Sequence, residues 1–518
     1  MTKAPPLPHM DGNSIAGYTP PAAASEPQPR RTERAGRGAP PLWRARDLRA
    51  AIERAGLSDG MTISFHHHLR NGDGVMNAVL TEAARMGLRD LHVASSSIFP
   101  VQAPLVPLIH NGTITALTTN YLTGPVAEAV LQGHLPRPAV LQTHGGRARA
   151  IEDGSLPIDI AFIAAPGLDA EGNLSGTHGR SAFGTMGYPA VDAGHARQVV
   201  ALTDSPFDGR FARADIPGHL VDGSVVLDSL GDAARIVSGT TRPTTDPDAL
   251  HLAEVAALAI AASGLLVEGF SFQTGAGGIS LAVAGHIRRM MQDQGIVGDF
   301  ASGGITAHLV AMLEDGLLRE LRDVQCFDLE AVASYARNPA HRAMSASDYA
   351  SPARADAAVN GLDAMILGAA EIDLEFNVNV TTAGDGRIIG GSGGHADAAA
   401  GAKLALVTTK LCAGANPKVV QRVGHVTTPG HSVDAVVTEA GIAVNPRRPD
   451  LDRAFRAAGL TVVSIEALAD AAARAVGGTR MSGDNPADAA TGAADSGDIV
   501  AVSEYRDGTI TDVIRKPG

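Results

Sequence analysis

The sequence predicts an α/β architecture built as two similar halves, and three observations carry that prediction. Short apolar runs rich in Val, Ile and Ala alternate with helical segments from Leu48 onward. Three Gly-rich turns stand where an extended run gives way to a helix. At 518 residues the chain exceeds the size at which one hydrophobic core usually stops growing, so two or more domains are expected. Parallel strand pairs need long crossover connections, and strand–helix alternation supplies them, so each half should be a mainly parallel sheet covered by helices.

Hydrophobic residues make up 45% of the chain, charged residues 19% and aromatics only 4%, which leaves most of the packing to Ala, Val, Leu and Ile. A net charge of −13 argues against nucleic acid or an anionic membrane as the main partner. It leaves an anionic small substrate open, because a few Arg or backbone N–H groups can reverse the sign inside one pocket. Cys326 and Cys412 are far apart, with no Cys or His at zinc-finger spacing, which fits a reduced compartment better than a disulfide scaffold. The most apolar stretch, residues 255–267, is too short to cross a bilayer, and no compact apolar signal segment opens the chain. The expected location is the cytoplasm.

Taken in order, residues 1–45 are rich in Pro, Ala and Arg without an apolar period and read as a disordered arm. The first domain should span 46–237, with helices at 48–55 and 75–86 and strands at 61–67, 90–95, 114–119, 139–143 and 158–164. Residues 238–250, SGTTRPTTDPDAL, read as a linker. The second domain should span 251–518, with helices at 251–267 and 280–294 and strands at 270–273, 364–367, 372–380 and 433–438. Within it, residues 480–498 read as a flexible loop before a final strand pair at 499–505 and 510–515.

Chemistry is expected at the strand-to-helix turns, since ligands of open α/β sheets bind beyond the carboxyl ends of the strands. In residues 269–287 Gly275, Gly277 and Gly278 permit tight backbone geometry, and the helix that follows offers unpaired N–H groups to a phosphate or thioester oxygen. A purely structural turn fits that segment equally well, and it lacks both the P-loop ending and the dinucleotide spacing. Similar junctions occur at 298–318 and at Gly391-Ser392-Gly393-Gly394. The segment SFHHHLRNGDG, residues 64–74, ends the first confident strand, so alternation would put His66 and His68 on one face and His67 on the other. The His pair could bind metal with Asp73, hold an anion with Arg70, or be satisfied by local hydrogen bonds. Asp169, Glu171 and Asn173 read as turn formers, Arg180 as a surface or anion-binding cation, and His431 and Arg447 as weaker candidates. No Ser-His-Asp hydrolase elbow is present in the sequence.

Several segments together resemble the citrate lyase α subunits. FHHHLRNGD, FQTGAGGISLAV, DFASGGITAHLV, DVQCFD with ARNPAH, EIDLEFNVNV, SGGHADAA, TPGHSVDAVVTEAGIAVNPRRPDL and VSEYRDGTITDVIR occur in that order. More distantly, both halves are similar to CoA-transferases and acetyl-CoA hydrolases. The resemblance implies two CoA-transferase-like domains and an exchange of acetyl for citryl on the thiol of an acyl carrier protein, releasing acetate. It implies a hetero-oligomer with the carrier protein and a citryl-thioester lyase subunit, together cleaving citrate to oxaloacetate and acetate. No tightly bound cofactor or metal is expected; the carrier's CoA-derived prosthetic group does that work, with acetyl-CoA as a surrogate.

In the CoA-transferases a glutamate after a short strand attacks the acyl-CoA, and its position corresponds here to Gly303. The resemblance therefore implies that a citrate carboxylate fills the vacated space and attacks the thioester directly, through a mixed anhydride. Gly303 and Gly304 would form an oxyanion site. His66, His68 and Arg70 would hold citrate, and Gln273, Gly275, Gly277, Gly278, Gly393 and Gly394 would line the thioester channel. The alternatives are a transferase or thioesterase acting through Glu371 or Glu375, a silent CoA-binding scaffold subunit and, more remotely, a nicotinamide dehydrogenase.

Overall fold

The computed structural model describes residues 42–237, 244–275, 277–477 and 497–518. Most of the expected arm (1–41), the start of the linker (238–243) and most of the expected loop (480–496) lie outside the described residues. The arm ends sooner than expected. Trp43–Ala45 (β1) pairs in parallel with Gly223–Val226, and the Trp43 indole lies where a side chain at Gly223 would be.

The first sheet is built from β1, β2 (Thr62–Phe65), β3 (Leu91–Ser95), β4 (Ile114–Thr119), β5 (Ala139–Leu141), β6 (Ile160–Ala164), β7 (Gln198–Thr203) and β8 (Gly223–Val226). The second is built from β9 (Phe272–Thr274), β10 (Gly298–Ile305), β11 (Leu318–Cys326), β12 (His341–Ala343), β13 (Ala364–Gly368), β14 (Leu404–Thr408), β15 (Ala435–Thr438), β16 (Gly441–Val444) and β17 (Val462–Val463). A last hairpin, β18 (Ile499–Glu504) and β19 (Ile510–Arg515), completes the first sheet. The orders are β1-β8-β7-β6-β2-β3-β4-β5-β18-β19 and β12-β11-β10-β9-β13-β14-β15-β16-β17. All pairs are parallel except β15–β16 and β18–β19. β2 is buried along its whole length, as a strand covered by helices on both faces must be.

The two sheets repeat one plan, and the repeat reaches single hydrogen bonds. Asp159 accepts from the Thr62 N–H (2.9 Å), and Asp363 accepts from the Ser271 N–H (2.8 Å). Asp222 and Asp434 likewise accept from Val199 and Ala405 (2.7 and 2.8 Å). Asp169 accepts from the backbone of Glu171 and Asn173, and Asp373 from that of Glu375 and Asn377. The Asn173 and Asn377 amide oxygens each accept from a glycine N–H, Gly218 or Gly430, at 2.8 and 2.9 Å. By this correspondence β2 matches β9, β3 matches β10, and His66 and His68 stand where Gly275 and Gly277 stand in the other half.

Three expectations need correction. Residues 499–515 belong to the first sheet, because β18 pairs in parallel with β5, Ala501 opposite Ala139, and covers an edge that would otherwise be open. The second-half helix starts at Pro247 and not at 251: Asp246 caps it by accepting from Ala249 N–H (3.1 Å), so the linker's last four residues are helical. Residues 372–380 are not one strand; they fold back at the Asp373–Asn377 turn, which joins Glu371–Ile372 to Val378–Asn379 in antiparallel fashion. Among the described residues no helix is long and apolar enough to cross a membrane.

Candidate active site

The sequence-marked turns of the two halves meet. β10 carries a bulge at Gly303/Gly304, where Gly303 has φ 96°, a conformation L-residues rarely adopt. A Cβ there would lie 2.7 Å from the Gln273 amide. The space expected to be vacant is thus filled by Gln273, whose amide accepts from the Ser302 hydroxyl (3.1 Å) and donates to the Tyr349 hydroxyl (2.7 Å). Tyr349 in turn packs against Gly394, where a Cβ would come within 2.3 Å of its hydroxyl. The carbonyl of Gly393, a residue at φ 50°, accepts from the His144 backbone N–H (2.8 Å) and so ties the second-half turn to the helix His144–Glu152 of the first half.

The N-terminus of that helix is closed from both halves. Thr143 accepts from Gly146 N–H (2.8 Å), and Asp397 of the second half accepts from Gly145 N–H (2.8 Å) and from the Thr143 hydroxyl (2.9 Å). Burial pushes the Asp397 carboxyl up to about 6, although Arg506 and these donors pull it down. The helix Gly278–Gln294 is different: its cap residue, Gly277, brings no side-chain bond, so its first N–H groups are left for backbone or ligand partners. Gly275 donates to the Ile366 carbonyl (2.8 Å), and Gly278 accepts from Thr244 (3.1 Å).

The histidines lie beyond the end of β2, and strand alternation does not hold there. His66 Nε2 is 3.0 Å from the Asp192 carboxylate, which also takes two bonds from Arg147 (3.0 and 2.8 Å). Burial works against ionising Asp192, but Arg147 and His66 outweigh it and hold its pKa well below the usual range. His67 and His68 both face Tyr188, at ring distances of 5.0 and 5.9 Å, and His68 stacks on Phe183 (4.8 Å). His68 is buried, and neither of its ring nitrogens has a hydrogen-bond partner among the described residues. Burial holds the pKa of His66 below 6.5, and those of His67 and His68 well below it; His144 falls to about 3 through burial and the Arg147 charge. Arg70, with φ 51°, lays its guanidinium over the Phe327 ring at 4.6 Å, and Phe327 fills the space beside Gly304. A closed circuit results: Gly303, Gln273, Tyr349, Gly394 and Gly393 lead through His144 and Tyr188 to His67 and His68, and Arg70 leads back through Phe327 to Gly304.

Other candidates fall elsewhere. Asp73 accepts from the Val75 and Met76 N–H groups (both 3.3 Å) at the start of the helix Val75–Arg85 and takes a bond from Gln102. Arg180 is spent on the Asp204 and Asp228 carbonyls, both at 2.9 Å. Glu371 accepts from Asn379 and Gly424, and Glu375, on the Asp373–Asn377 turn, accepts from the Asn377 amide (3.4 Å), so each carboxylate has a partner within its own turn region. Asp323, opposite Gly303 in register, takes bonds from His341 (2.9 Å), Cys326 (3.0 Å) and the Gln325 N–H (2.7 Å). The fold therefore brings His341 to Cys326, which already has Asp323 three residues before it, and the three ligand atoms lie within 4.8 Å of one another. Sequence reasoning missed Ser96, His144, Tyr188, Gln325 and Tyr349 and turned His67 away from the site; among these His67, in the His-His-His run, and His144, in the Thr-His-Gly-Gly turn that mirrors the other Gly-rich junctions, carried a local signal.

Comparison with known proteins gives this arrangement a family. The description "Citrate lyase, alpha subunit (CitF)" matches residues 44–517. The chain belongs to the citrate lyase alpha subunit family. The citrate lyase alpha chain of Escherichia coli K12 is 43% identical over 470 residues, 91% of this chain and 90% of that one. A solved alpha subunit of citrate lyase from Streptococcus mutans, in complex with citrate, is 43% identical with a TM-score of 0.86, covering 96% of this chain and 92% of that one. The malonate decarboxylase alpha subunit of Acinetobacter baumannii shares the fold at 16% identity, with a TM-score of 0.62, over 89% of this chain and 96% of that one. As a citrate lyase alpha subunit, the chain is the transferase component of that enzyme and has the CoA-transferase type of fold, as its two parallel sheets indicate.

Proposed function

We propose that the chain exchanges acyl groups without a protein nucleophile: a citrate carboxylate attacks an acetyl thioester held between the two halves, and citryl thioester and acetate result. The observation that carries this reading is the glycine at position 303. A conformation at φ 96° with an amide against the Cβ position leaves no room for a carboxylate side chain there. The carboxylate opposite it in register, Asp323, is committed to three donors.

In the first step a citrate carboxylate oxygen forms a C–O bond to the acetyl carbonyl and the C–S bond breaks, giving acetyl-citryl anhydride and thiolate. In the second step the thiolate attacks the citryl carbonyl, and acetate leaves with the attacking oxygen. Positioning accounts for most of the rate, since effective molarity supplies up to about 7–11 kcal/mol and one oxyanion donor about 3 kcal/mol more. Citrate is held by His66, His68 and Arg70, with the Gln273 amide and not an empty cavity beside Gly303. Gly303 and Gly304 donate to the oxyanion. Gly275, Gly277 and Gly278, with Gly393 and Gly394, line the thioester channel, where the uncapped helix N-terminus favours a negatively polarised oxygen. The thiol belongs to the CoA-derived arm of a carrier protein subunit, and the citryl thioester passes to a lyase subunit in the same cytoplasmic assembly. No tightly held metal takes part in the exchange.

The test is to incubate the chain with acetyl-CoA and carboxylate-¹⁸O-labelled citrate and to follow products by mass spectrometry. Citryl-CoA with ¹⁸O in the released acetate and no protein adduct is the expected result. A lasting CoA adduct on a glutamate would overturn it in favour of an ordinary transferase.

A further inference from the structure

His67 is the histidine that alternation turned away from the site, yet it lies at the meeting of the two halves. Its ring packs against Tyr188 at 5.0 Å and is stacked with His144 at 6.1 Å. Its carbonyl accepts from the Gln325 side chain of the second half (3.0 Å), and Gln325 is the register partner of Gly304. Ser96 completes the setting. Its hydroxyl oxygen accepts from the His67 backbone N–H (3.2 Å) and lies 2.6 Å from His67 Nδ1.

These two contacts decide the tautomer. Ser96 is fully buried, and among the described residues its hydroxyl has no hydrogen-bond partner besides His67. The backbone N–H occupies one lone pair of the hydroxyl oxygen, so the hydroxyl proton has a single acceptor available, Nδ1. Were Nδ1 protonated, that hydroxyl proton would be buried with no acceptor, which costs on the order of a lost hydrogen bond. Nδ1 is therefore the acceptor and Nε2 carries the proton. The groups acting on the ring are His144, His68, Arg70 and His66, and together with burial each disfavours the imidazolium. A neutral imidazole with one fixed N–H is a hydrogen-bond donor that does not give up its proton at the pH where the chain works.

We propose that His67 is a catalytic donor: its Nε2–H stabilises the oxyanion that forms at the acyl carbonyl in each half of the exchange, and Ser96 is the positioning residue that fixes this tautomer. This rests on the thioester-exchange reading above. It adds a side-chain donor from the first half, a residue whose carbonyl is tied through Gln325 to the strand beside Gly304, to the Gly303-Gly304 backbone of the second. Ser96 corresponds to Gly304 in the repeat of the two halves, so the position that has lost its side chain in one half has kept a hydroxyl in the other.

The test uses the full chain labelled with ¹⁵N-histidine. Long-range ¹H–¹⁵N spectra, with His67 identified by the signal missing from His67→Gln, should show Nδ1 unprotonated and Nε2 protonated from pH 5.5 to 8.5. A protonated Nδ1, or a His67 titration inside that range, would overturn the proposal. Kinetically, Ser96→Ala should lower kcat about 10-fold or more, with the citrate KM within about 2-fold, and Ser96→Thr should restore most of it. His67→Phe should lose about 10²–10³-fold in kcat, as expected for one oxyanion donor, and His67→Gln, which keeps an N–H, should lose less. An unchanged kcat in Ser96→Ala, or a loss confined to KM, would overturn the assignment. If the unaltered chain makes no citryl thioester at all, the exchange reading fails, and the tautomer spectra still report on Ser96 and His67.

Discussion

Replacing Gly303 by Ala should be costly, and most of the cost should be traceable to Gln273. At φ 96° an L-residue carries about 1–2 kcal/mol of backbone strain. The added Cβ would lie 2.7 Å from the Gln273 amide, so that side chain must move. Moving it breaks the bonds to Ser302 (3.1 Å) and Tyr349 (2.7 Å), each worth about 1 kcal/mol net. The sum is about 3–4 kcal/mol. In a Gln273→Ala background the clash and both bonds are already gone, so the same substitution should cost only the strain, about 1–2 kcal/mol. The four proteins of this cycle are compared by urea unfolding at a common slope, and the expected coupling is about 2 kcal/mol. A Gly303→Ala cost equal within about 0.5 kcal/mol in both backgrounds would refute the reasoning, since non-contacting sites add to within that margin.

Three further outcomes are expected. Arg70→Ala should raise the citrate KM about 10–100-fold, the worth of a charge-assisted bond, and leave acetyl-thioester binding nearly unchanged; equal losses in steady-state assays of the two substrates would remove Arg70 from citrate binding. Burial raises the Asp397 carboxyl from 3.8 to about 6, so the folded chain keeps a proton that the unfolded chain has released. Its contribution to stability is full below about pH 4 and is lost as pH rises to about 6, roughly 3 kcal/mol at ~1.4 kcal/mol per unit. Asp397→Asn should flatten that part of the stability–pH curve, and Arg506→Met, which removes the cation 3.8 Å away, should extend the loss above pH 6; identical curves for all three proteins would rule out Asp397 as the titrating group. Asn173→Ala and Asn377→Ala should cost similar amounts in thermal unfolding, about 2–3 kcal/mol each, because each removes the same bonds to an aspartate and a glycine; a difference above ~1.5 kcal/mol would mean that the two turns are not equivalent.

Much of the fold was legible because its signals are local. The helix Leu48–Ala55 is bounded by an Asp47 cap and by Gly56 at φ 75°, and both marks stand in the sequence. The same kind of signal, Asp246-Pro247, was absorbed into a linker because the surrounding Thr and Pro residues read as loop. The placement of the final hairpin was not legible, since β18 finds its partner β5 about 360 residues earlier and pairing across that separation leaves no local trace. The site divides in the same way. Its glycines announced themselves by composition, but the side chains that fill the space beside them, Gln273, Tyr349, Phe327 and His144, come together only in the folded chain. Alternation failed at His66–His68 because the strand stops at Phe65, after which each ring goes to whatever partner the other elements bring: Asp192, Ser96 or Phe183.

The repeat between the halves explains why chemistry collects where it does. The positions that hold the sheets together are kept: the aspartates that begin β6, β8, β13 and β15, and the Asp-x-Glu-x-Asn turns with their facing glycines. The strand ends diverge. Where one half presents Gly275 and Gly277, with a helix N-terminus left uncapped by side chains, the other presents three histidines and Arg70 on a turn too bulky to open a helix in the same way. A backbone turn suits the polarised oxygen of a thioester, because N–H groups at a helix end need no counter-charge. A cluster of neutral imidazoles beside one guanidinium suits a polycarboxylate, because each carboxylate can draw a hydrogen bond without bringing several cations together in a buried space. On the proposed reading, two copies of one scaffold supply two kinds of anion site at equivalent positions, and the exchange of an acyl group between their ligands requires only that the two turns face each other.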